Sequence, residues 1–315
     1  DVYVGKNKTT FVVDRGNNRI QVFDETYQYV TTISNQFNTP SGIVQDSQGT
    51  IYVADRNNNR IQIFDENYQY RGVLNAATDT SSNYNFDRPS DIEIDNQNNI
   101  YIADFGHHRI QIFDSDLNYL STIGGTQGSE NHQLSNPVSL CINKKTNDII
   151  ITDYGNHRIQ IFDKDHNFIS NIGGSDYSNS NQFTYPYGVA VNSDGLIYVS
   201  DQKHRVQAFD FNFEHIFTLG TGSQGTSNDR FGYPAGLALD SLNRLYIADY
   251  FNHRLQIFSP PAPTFDFETS AGTVTNGNFI LTIIFSNEVA DFSVQNIARK
   301  NATITNMHTE DSVVF

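Results

Sequence analysis

The side chains able to do chemistry in this chain are its histidines, arginines and carboxylates, and their spacing limits what that chemistry is. His108, His157, His204 and His253 hold one position of a recurring eleven-residue stretch. Its cleanest copy is Asp153-Tyr154-Gly155-Asn156-His157-Arg158-Ile159-Gln160-Ile161-Phe162-Asp163. Two copies carry Asn18 and Asn59 at that position instead. Zinc needs three or four ligands converging on one point. Histidines dispersed one per copy do not converge, and exchange with Asn points to hydrogen bonding as their duty. His132, His166, His215 and His308 share no motif, so no metal set is assigned. No G-x-S-x-G, H-E-x-x-H or phosphate loop occurs. The glycine-rich stretches at Gly124–Gly128 and Gly220–Gly225 lie between predicted strands, whereas a phosphate cradle would open a helix. Asp114-Ser115-Asp116 and Asp163-Lys164-Asp165 are acidic turns that suit calcium, but the remaining ligands of an EF-hand are missing. No cofactor is expected, with calcium as the alternative.

The stretch begins at Asp14, Asp55, Asp104, Asp153, Asp201 and Asp249, and its arginines are Arg19, Arg60, Arg109, Arg158, Arg205 and Arg254. Each Asp ends one predicted strand and each Arg starts the next, across a tight loop. An Arg fork can bond the carboxylate and loop carbonyls together, and its repetition in every copy reads as a structural clamp. The residue after each Asp varies: Arg15, Arg56, Phe105, Tyr154, Gln202 and Tyr250, with Phe251 next. That position is free of the clamp, and aromatics on rigid loops suit recognition of a protein or a glycan. These seven residues form the candidate binding rim; no catalytic residue is assigned. Glu93 stands where other repeats carry Val44, Cys141, Ala190 and Ala238, and a carboxylate there must reach water or find a partner.

The elements that position these residues are short strands. The motif arginines are spaced 41, 49, 49, 47 and 49 residues apart, a period in the forties built of short apolar runs, as in a β-propeller. In the fourth repeat the strands are expected at Ser139–Ile142, Ile149–Thr152, Arg158–Phe162 and Phe168–Ile172. The third alternates with the period of two that strands require. Prolines at Pro40, Pro89, Pro137, Pro186 and Pro234 precede the first strand of their repeats, where proline is tolerated. The sixth repeat lacks an outer strand, because Ser259-Pro260-Pro261-Ala262-Pro263 stands in its place and proline cannot donate to a ladder.

The repeated D-x-x-N-[HN]-R-[IV]-Q-x-F stretch, the preceding Tyr-Ile-Ala-Asp (Tyr101–Asp104, Tyr246–Asp249), the openings Pro40-Ser41-Gly42-Ile43 and Pro234-Ala235-Gly236-Leu237, and the connectors Ile123–Gly125 and Ile172–Gly174 resemble NHL repeats. The resemblance covers residues 1–259 and implies a six-bladed propeller. It implies no single activity: such propellers serve as RNA-binding platforms, protein-interaction modules and extracellular sensor or adhesion domains, and one branch is a peptide-maturing lyase. The lyase role is carried to no residue. The tail stretches Phe285-Ser286-Asn287-Glu288-Val289, Asp291-Phe292 and Asn301–Asn306 resemble bacterial Ig-like surface domains. The expected organisation is an all-β protein with a six-bladed β-propeller at 1–259, a proline-rich linker at 260–264 and an incomplete Ig-like β-sandwich domain at 265–315.

A net charge of −15 argues against nucleic acid or an anionic membrane as partner. No apolar run reaches the roughly 18 residues of a membrane span. The single cysteine, Cys141, excludes an internal disulfide framework. The chain opens at Asp1 and stops inside Val313-Val314-Phe315, and a longer parent protein is expected. Asn7-Lys8-Thr9 and Asn301-Ala302-Thr303 are glycosylation sequons. The expected function is a non-enzymatic extracellular or cell-surface module for interaction, adhesion or filament formation, with a protein or glycan ligand and self-assembly by strand addition at blade six. The alternative is a propeller hydrolase or lyase with a metal in the central channel.

Overall fold

A computed structural model describes residues 1–74, 85–174 and 182–259, and, by backbone alone, the tail strands Phe265–Thr269 and Leu281–Phe285. The chain divides into two units, Asp1–Phe258 and Ser259–Phe315. The first is a six-bladed propeller. In blade four, Pro137–Ile142, Ile149–Asp153, Arg158–Phe162 and Phe168–Gly173 pair in that order, each antiparallel to its neighbour. β-Branched residues dominate the first two strands, and both faces are covered by the flanking blades. The whole of Arg158–Phe162 is buried, its polar positions included. Blades one, two, three and five have the same four-stranded order. Proline heads the innermost strand at Pro40, Pro89, Pro137 and Pro234. In blade five that strand shortens to Val189–Val191.

The core lies between blades. Phe11, Ile20 and Val22 of blade one pack on Ile43, Val53 and Phe64 of blade two, and each later pair repeats the arrangement. The ring closes where Val2 packs on Ala238 and Tyr246 of blade six, and the Tyr27 and Tyr246 hydroxyls share a hydrogen bond of 3.0 Å. Around the channel the innermost strands run close together. A Cβ on Gly188 would sit 2.3 Å from the Ala235 carbonyl oxygen, and one on Gly42 would sit 2.6 Å from the Asp91 Cα. At Gly42 and Gly188 the neighbouring blade leaves no room for a side chain, whereas blades three and four carry Asp91 and Ser139 at the same position.

Blade six has three strands, Pro234–Leu239, Leu245–Asp249 and Arg254–Phe258. Among the described residues no strand pairs with the outer edge of Arg254–Phe258, whose residues are correspondingly less buried than those of Arg158–Phe162. Phe265–Thr269 pairs with Leu281–Phe285 inside the second unit. Residues 260–264, Asn301 and most of the Ig-like pattern lie outside the described residues. Asn7 is exposed in the short turn Lys6–Lys8 of blade one.

Candidate functional site

Five of the six motif aspartates are hubs that tie two loops together, while Asp14 holds only Asn17 and Arg19 of its own loop. The fully buried Asp153 accepts from Arg158 Nε at 2.8 Å, Asn156 Nδ2 at 2.8 Å and Gln160 Nε2 at 3.1 Å on one oxygen. Its other oxygen accepts from the Ser135 amide at 2.7 Å. Arg158 Nη2 donates onward to the Glu130 and Gln133 carbonyls at 2.9 and 3.0 Å. The same Nε contact closes the other five pairs: 2.7 Å for Arg19–Asp14, 2.7 Å for Arg60–Asp55, 2.9 Å for Arg109–Asp104, 3.1 Å for Arg205–Asp201 and 2.7 Å for Arg254–Asp249. The clamp thus fixes the long loop that enters the blade's own innermost strand. Sequence reasoning missed its glutamine, which also bonds Asp from Gln62, Gln111 and Gln256. The signal was the recurrence of Gln two residues after every motif Arg.

A second device joins each blade to the next. The residue before the motif Arg is left-handed in all six copies, with φ between 50° and 56°. In the first five copies its side chain then accepts from a backbone amide of the following blade: Thr39 N to Asn18 Oδ1 at 2.7 Å, Arg88 N to Asn59 Oδ1 at 2.9 Å, Asn136 N to His108 Nδ1 at 3.0 Å, Tyr185 N to His157 Nδ1 at 3.1 Å and Tyr233 N to His204 Nδ1 at 3.0 Å. Asn and His interchange because Oδ1 and Nδ1 offer an acceptor at the same reach. Burial holds the His108 and His157 rings below the usual imidazole range, which favours the neutral, accepting form.

With both loop sets fixed, their face of the propeller carries a bowl of about 590 Å³. Arg15, Tyr187, Tyr233, Tyr250 and Phe251 form its wall, and Asp91 and Ser139 its floor. The rings touch one another: centroids are 5.8 Å apart for Tyr187–Tyr233, 5.4 Å for Tyr233–Phe251, 5.2 Å for Tyr250–Phe251 and 6.4 Å for Tyr154–Tyr187. Gln202 Nε2 donates to the Tyr154 hydroxyl at 2.9 Å and the Tyr233 hydroxyl at 3.1 Å, locking two blades' rings together. Burial pushes the Tyr233 hydroxyl up, so it stays protonated. Arg15 Nη1 reaches the Tyr187 hydroxyl across the mouth at 3.5 Å. Of the seven rim residues expected from sequence, Arg15, Tyr250 and Phe251 line the bowl, and Tyr154 and Gln202 brace its wall from behind. Arg56 and Phe105 form a separate stack, with the guanidinium carbon 4.4 Å from the ring centroid. Tyr187 and Tyr233 were missed; they flank the prolines at Pro186 and Pro234, which was their signal.

The floor carboxyl of Asp91 is pushed up to about 6, chiefly by burial and further by the charge of Glu93, while its Ser139, Leu140 and Ile92 hydrogen bonds oppose the shift. Below it a second cavity of about 710 Å³ runs along the channel. There Glu93 pairs with Lys144 of the next blade at 3.2 Å. Burial raises the Cys141 thiol well above its usual range, so it is no ready nucleophile. The acidic turns spend Asp114 and Asp163 on their own amides: Asp114 Oδ1 accepts from Asp116 and Asn118, and Asp163 Oδ1 from Asp165 and Asn167. Among the described residues no three His, Cys, Asp or Glu side chains form a group able to hold a metal ion.

Residues 37–64, 86–113, 134–162 and 231–258 match the NHL repeat. Four of the propeller's six repeats carry that match. Solved structures similar to this propeller include virginiamycin B lyase from Staphylococcus aureus, at 11% identity over 82% of this chain and 79% of that one, with a TM-score of 0.57. A gluconolactonase from Xanthomonas campestris is similar at 15% identity over 78% and 81%, with a TM-score of 0.61. A Bacteroides thetaiotaomicron protein of unknown function is similar at 16% identity over 81% and 67%, with a TM-score of 0.63. At these identities the likeness is one of fold. No curated protein matches the chain. Among the described residues no helix is long and apolar enough to cross a membrane.

Proposed function

We propose that this NHL propeller is a non-enzymatic interaction module of the cell exterior that holds a protein or glycan ligand on its aromatic rim. One observation carries the reading: rings from several blades are stacked and hydrogen-bonded around a single bowl on rigidly clamped loops. Rings fixed before binding lose little freedom on contact, which favours recognition. The exterior setting rests on the Ig-like pattern of the tail and on the exposed sequon at Asn7. The chain has no tryptophan, so its intrinsic fluorescence comes from tyrosine, and Tyr154, Tyr187, Tyr233 and Tyr250 at the rim are among its 17 tyrosines. A panel of neutral and charged oligosaccharides and peptides should yield a ligand whose binding shifts this signal, with Tyr250→Ala and Phe251→Ala each weakening it at least about tenfold. Binding indifferent to both substitutions, or turnover of the bound compound, refutes the proposal.

The outer edge of Arg254–Phe258, unpaired among the described residues, favours a second role, self-assembly by strand addition from a neighbouring molecule. Ile257 is exposed on that edge. Sedimentation across a dilution series should show concentration-dependent growth that Ile257→Lys abolishes; a monomer at every concentration refutes it.

A further inference from the structure

Aromatic rings gather on one half of the rim, at positions where the fold asks for none. The residue ahead of each blade's leading proline is left-handed, with φ between 50° and 65°. It is Thr39, Arg88 and Asn136 at blades two to four, but Tyr185 and Tyr233 at blades five and six. Asn adopts that conformation readily, and a bulky ring does not. The residue after the proline is Ser41, Ser90, Val138 or Ala235, each of them buried, and in blade five it is Tyr187. Pro40, Pro89, Pro137 and Pro234 begin the innermost strands of their blades, whereas the strand of blade five begins at Val189 and Tyr187 lines the bowl. The ladder is shorter by its opening residues, and a half-buried ring stands at the mouth instead.

With Tyr154, Tyr250 and Phe251 these tyrosines make one continuous arc. Tyr185 lies 4.8 Å from Tyr154, and Tyr154 lies 6.4 Å from Tyr187, centroid to centroid. From Tyr187 the series follows the bowl wall through Tyr233 and Phe251 to Tyr250. Tyr185 is 37% exposed at one end, and Tyr250 and Phe251 are 47% and 54% exposed at the other. Gln202 locks the middle through the Tyr154 and Tyr233 hydroxyls, and His157 holds the Tyr185 amide. The six side chains of the arc are uncharged.

We propose that this arc is a track for an uncharged glycan chain of flat, β-1,4-linked pyranose units, which begins in the bowl at Tyr250 and Phe251 and runs over Tyr187 to Tyr185. The inference rests on the reading of the rim as the ligand site, and adds the extent of that site and the kind of chain. A run of contacting rings suits a repeating ligand that offers one flat face per unit. Single-stranded nucleic acid is such a ligand, but it needs a basic groove along the same track. The arc has no charge, and the net charge of −15 repels a polyanion at long range. A pyranose with equatorial substituents carries C–H groups on its faces and hydroxyls along its edges. The arc matches that pattern, with ring faces beside the Tyr154, Tyr187 and Tyr233 hydroxyls, which Gln202 and Arg15 hold in place. On the floor, Asp91 and Ser139 offer sugar hydroxyls an acceptor and a second hydroxyl. The β-1,4 links keep successive units in one flat ribbon, whereas an extended peptide turns its side chains to alternate sides.

The test is calorimetry on the full chain with β-1,4-linked oligomers of glucose, xylose and N-acetylglucosamine, from dimer to hexamer, at low and high salt. At least one series should bind, its hexamer at least about tenfold more tightly than its dimer, with little change between the two salts. Tyr185→Asn, the residue type blade four already carries at Asn136, should weaken the hexamer about fivefold or more and leave the dimer as it was. Tyr187→Ser, the type found at Ser41 and Ser90, should weaken every length. The dimer is the internal control for folding. A hexamer no tighter than the dimer, a hexamer indifferent to Tyr185→Asn, or a dimer lost with it overturns the track and leaves the rim reading standing. Tighter binding of hexagalacturonate or hexathymidylate than of every neutral hexamer does the same. No binding by any of the three series overturns the inference, and the rim reading is then decided by Tyr250→Ala and Phe251→Ala with the ligand found in the wider panel. Oligomers that bind indifferently to both Tyr187→Ser and Tyr250→Ala overturn the two readings together.

Discussion

Arg158→Ala offers a sharp test of the clamp, because the same pair recurs in a weaker setting. Arg158 and Asp153 are both buried, with side-chain exposures of 8% and 0%. Removing the guanidinium deletes one charge-assisted bond to Asp153 and two bonds to loop carbonyls. An unpartnered buried charge would cost about 3–5 kcal/mol. Asp153 keeps Asn156, Gln160 and the Ser135 amide, and the Gln133 carbonyl keeps Gln160. The expected loss is therefore about 2–4 kcal/mol, a fall in melting temperature on the order of 5–15 °C for a domain of this size. Arg19 and Asp14 have the same 2.7–2.8 Å geometry but are 39% and 24% exposed. Arg19→Ala should cost about 0–1 kcal/mol. Calorimetry of both variants beside the parent decides the matter. Equal losses, or a loss at Arg158 below about 1 kcal/mol, would show that burial and the loop carbonyls add nothing to the pair.

The blade-to-blade histidines make a pH prediction. With folded values below the ordinary one, His108 and His157 bind fewer protons folded than unfolded, so their contribution is full above about pH 6.5 and is lost as the pH falls from there through the folded values. Melting temperatures between pH 7 and 5 should drop in the parent and flatten in the His108→Asn/His157→Asn variant, which keeps an acceptor without a titrating group; parallel profiles count against the staple. Gly188→Ala should cost about 1–3 kcal/mol, because its Cβ would press on the Ala235 carbonyl, whereas Gly16→Ala, with nothing within 4 Å, should be near neutral in the same denaturant titration. Mass analysis of natively isolated material should find a glycan on exposed Asn7; an unmodified residue would speak against passage through a glycosylating secretory route.

The propeller was legible because its code is local and repeated. A period in the forties, alternation in the third strand and proline ahead of the first all act over a few residues. The clamp was half legible. Asp and Arg are adjacent across one loop, but the glutamine acts from two residues further along its strand and gains meaning only once the strand register places it beside the carboxylate. The bowl was the least legible, since it is assembled across the ring: Arg15 and Tyr187 are 172 residues apart. Six loop positions were identifiable as free of the clamp, yet which of them face one another depends on blade packing, and Arg56 and Phe105 went to a stack of their own.

The loops also separate two kinds of inheritance. In blade four Asp153, Asn156, Arg158 and Gln160 fix the path of the backbone, and Tyr154, immediately after Asp153, stays out of the clamp. A duplicated blade therefore arrives with its architecture intact and one blank site on the rim. Exchanging Arg15 or Tyr250, the two such residues that line the bowl, changes what the mouth can hold while the clamps stay as they were. Selection, or a library varied at those positions alone, can search for new partners without searching again for a fold.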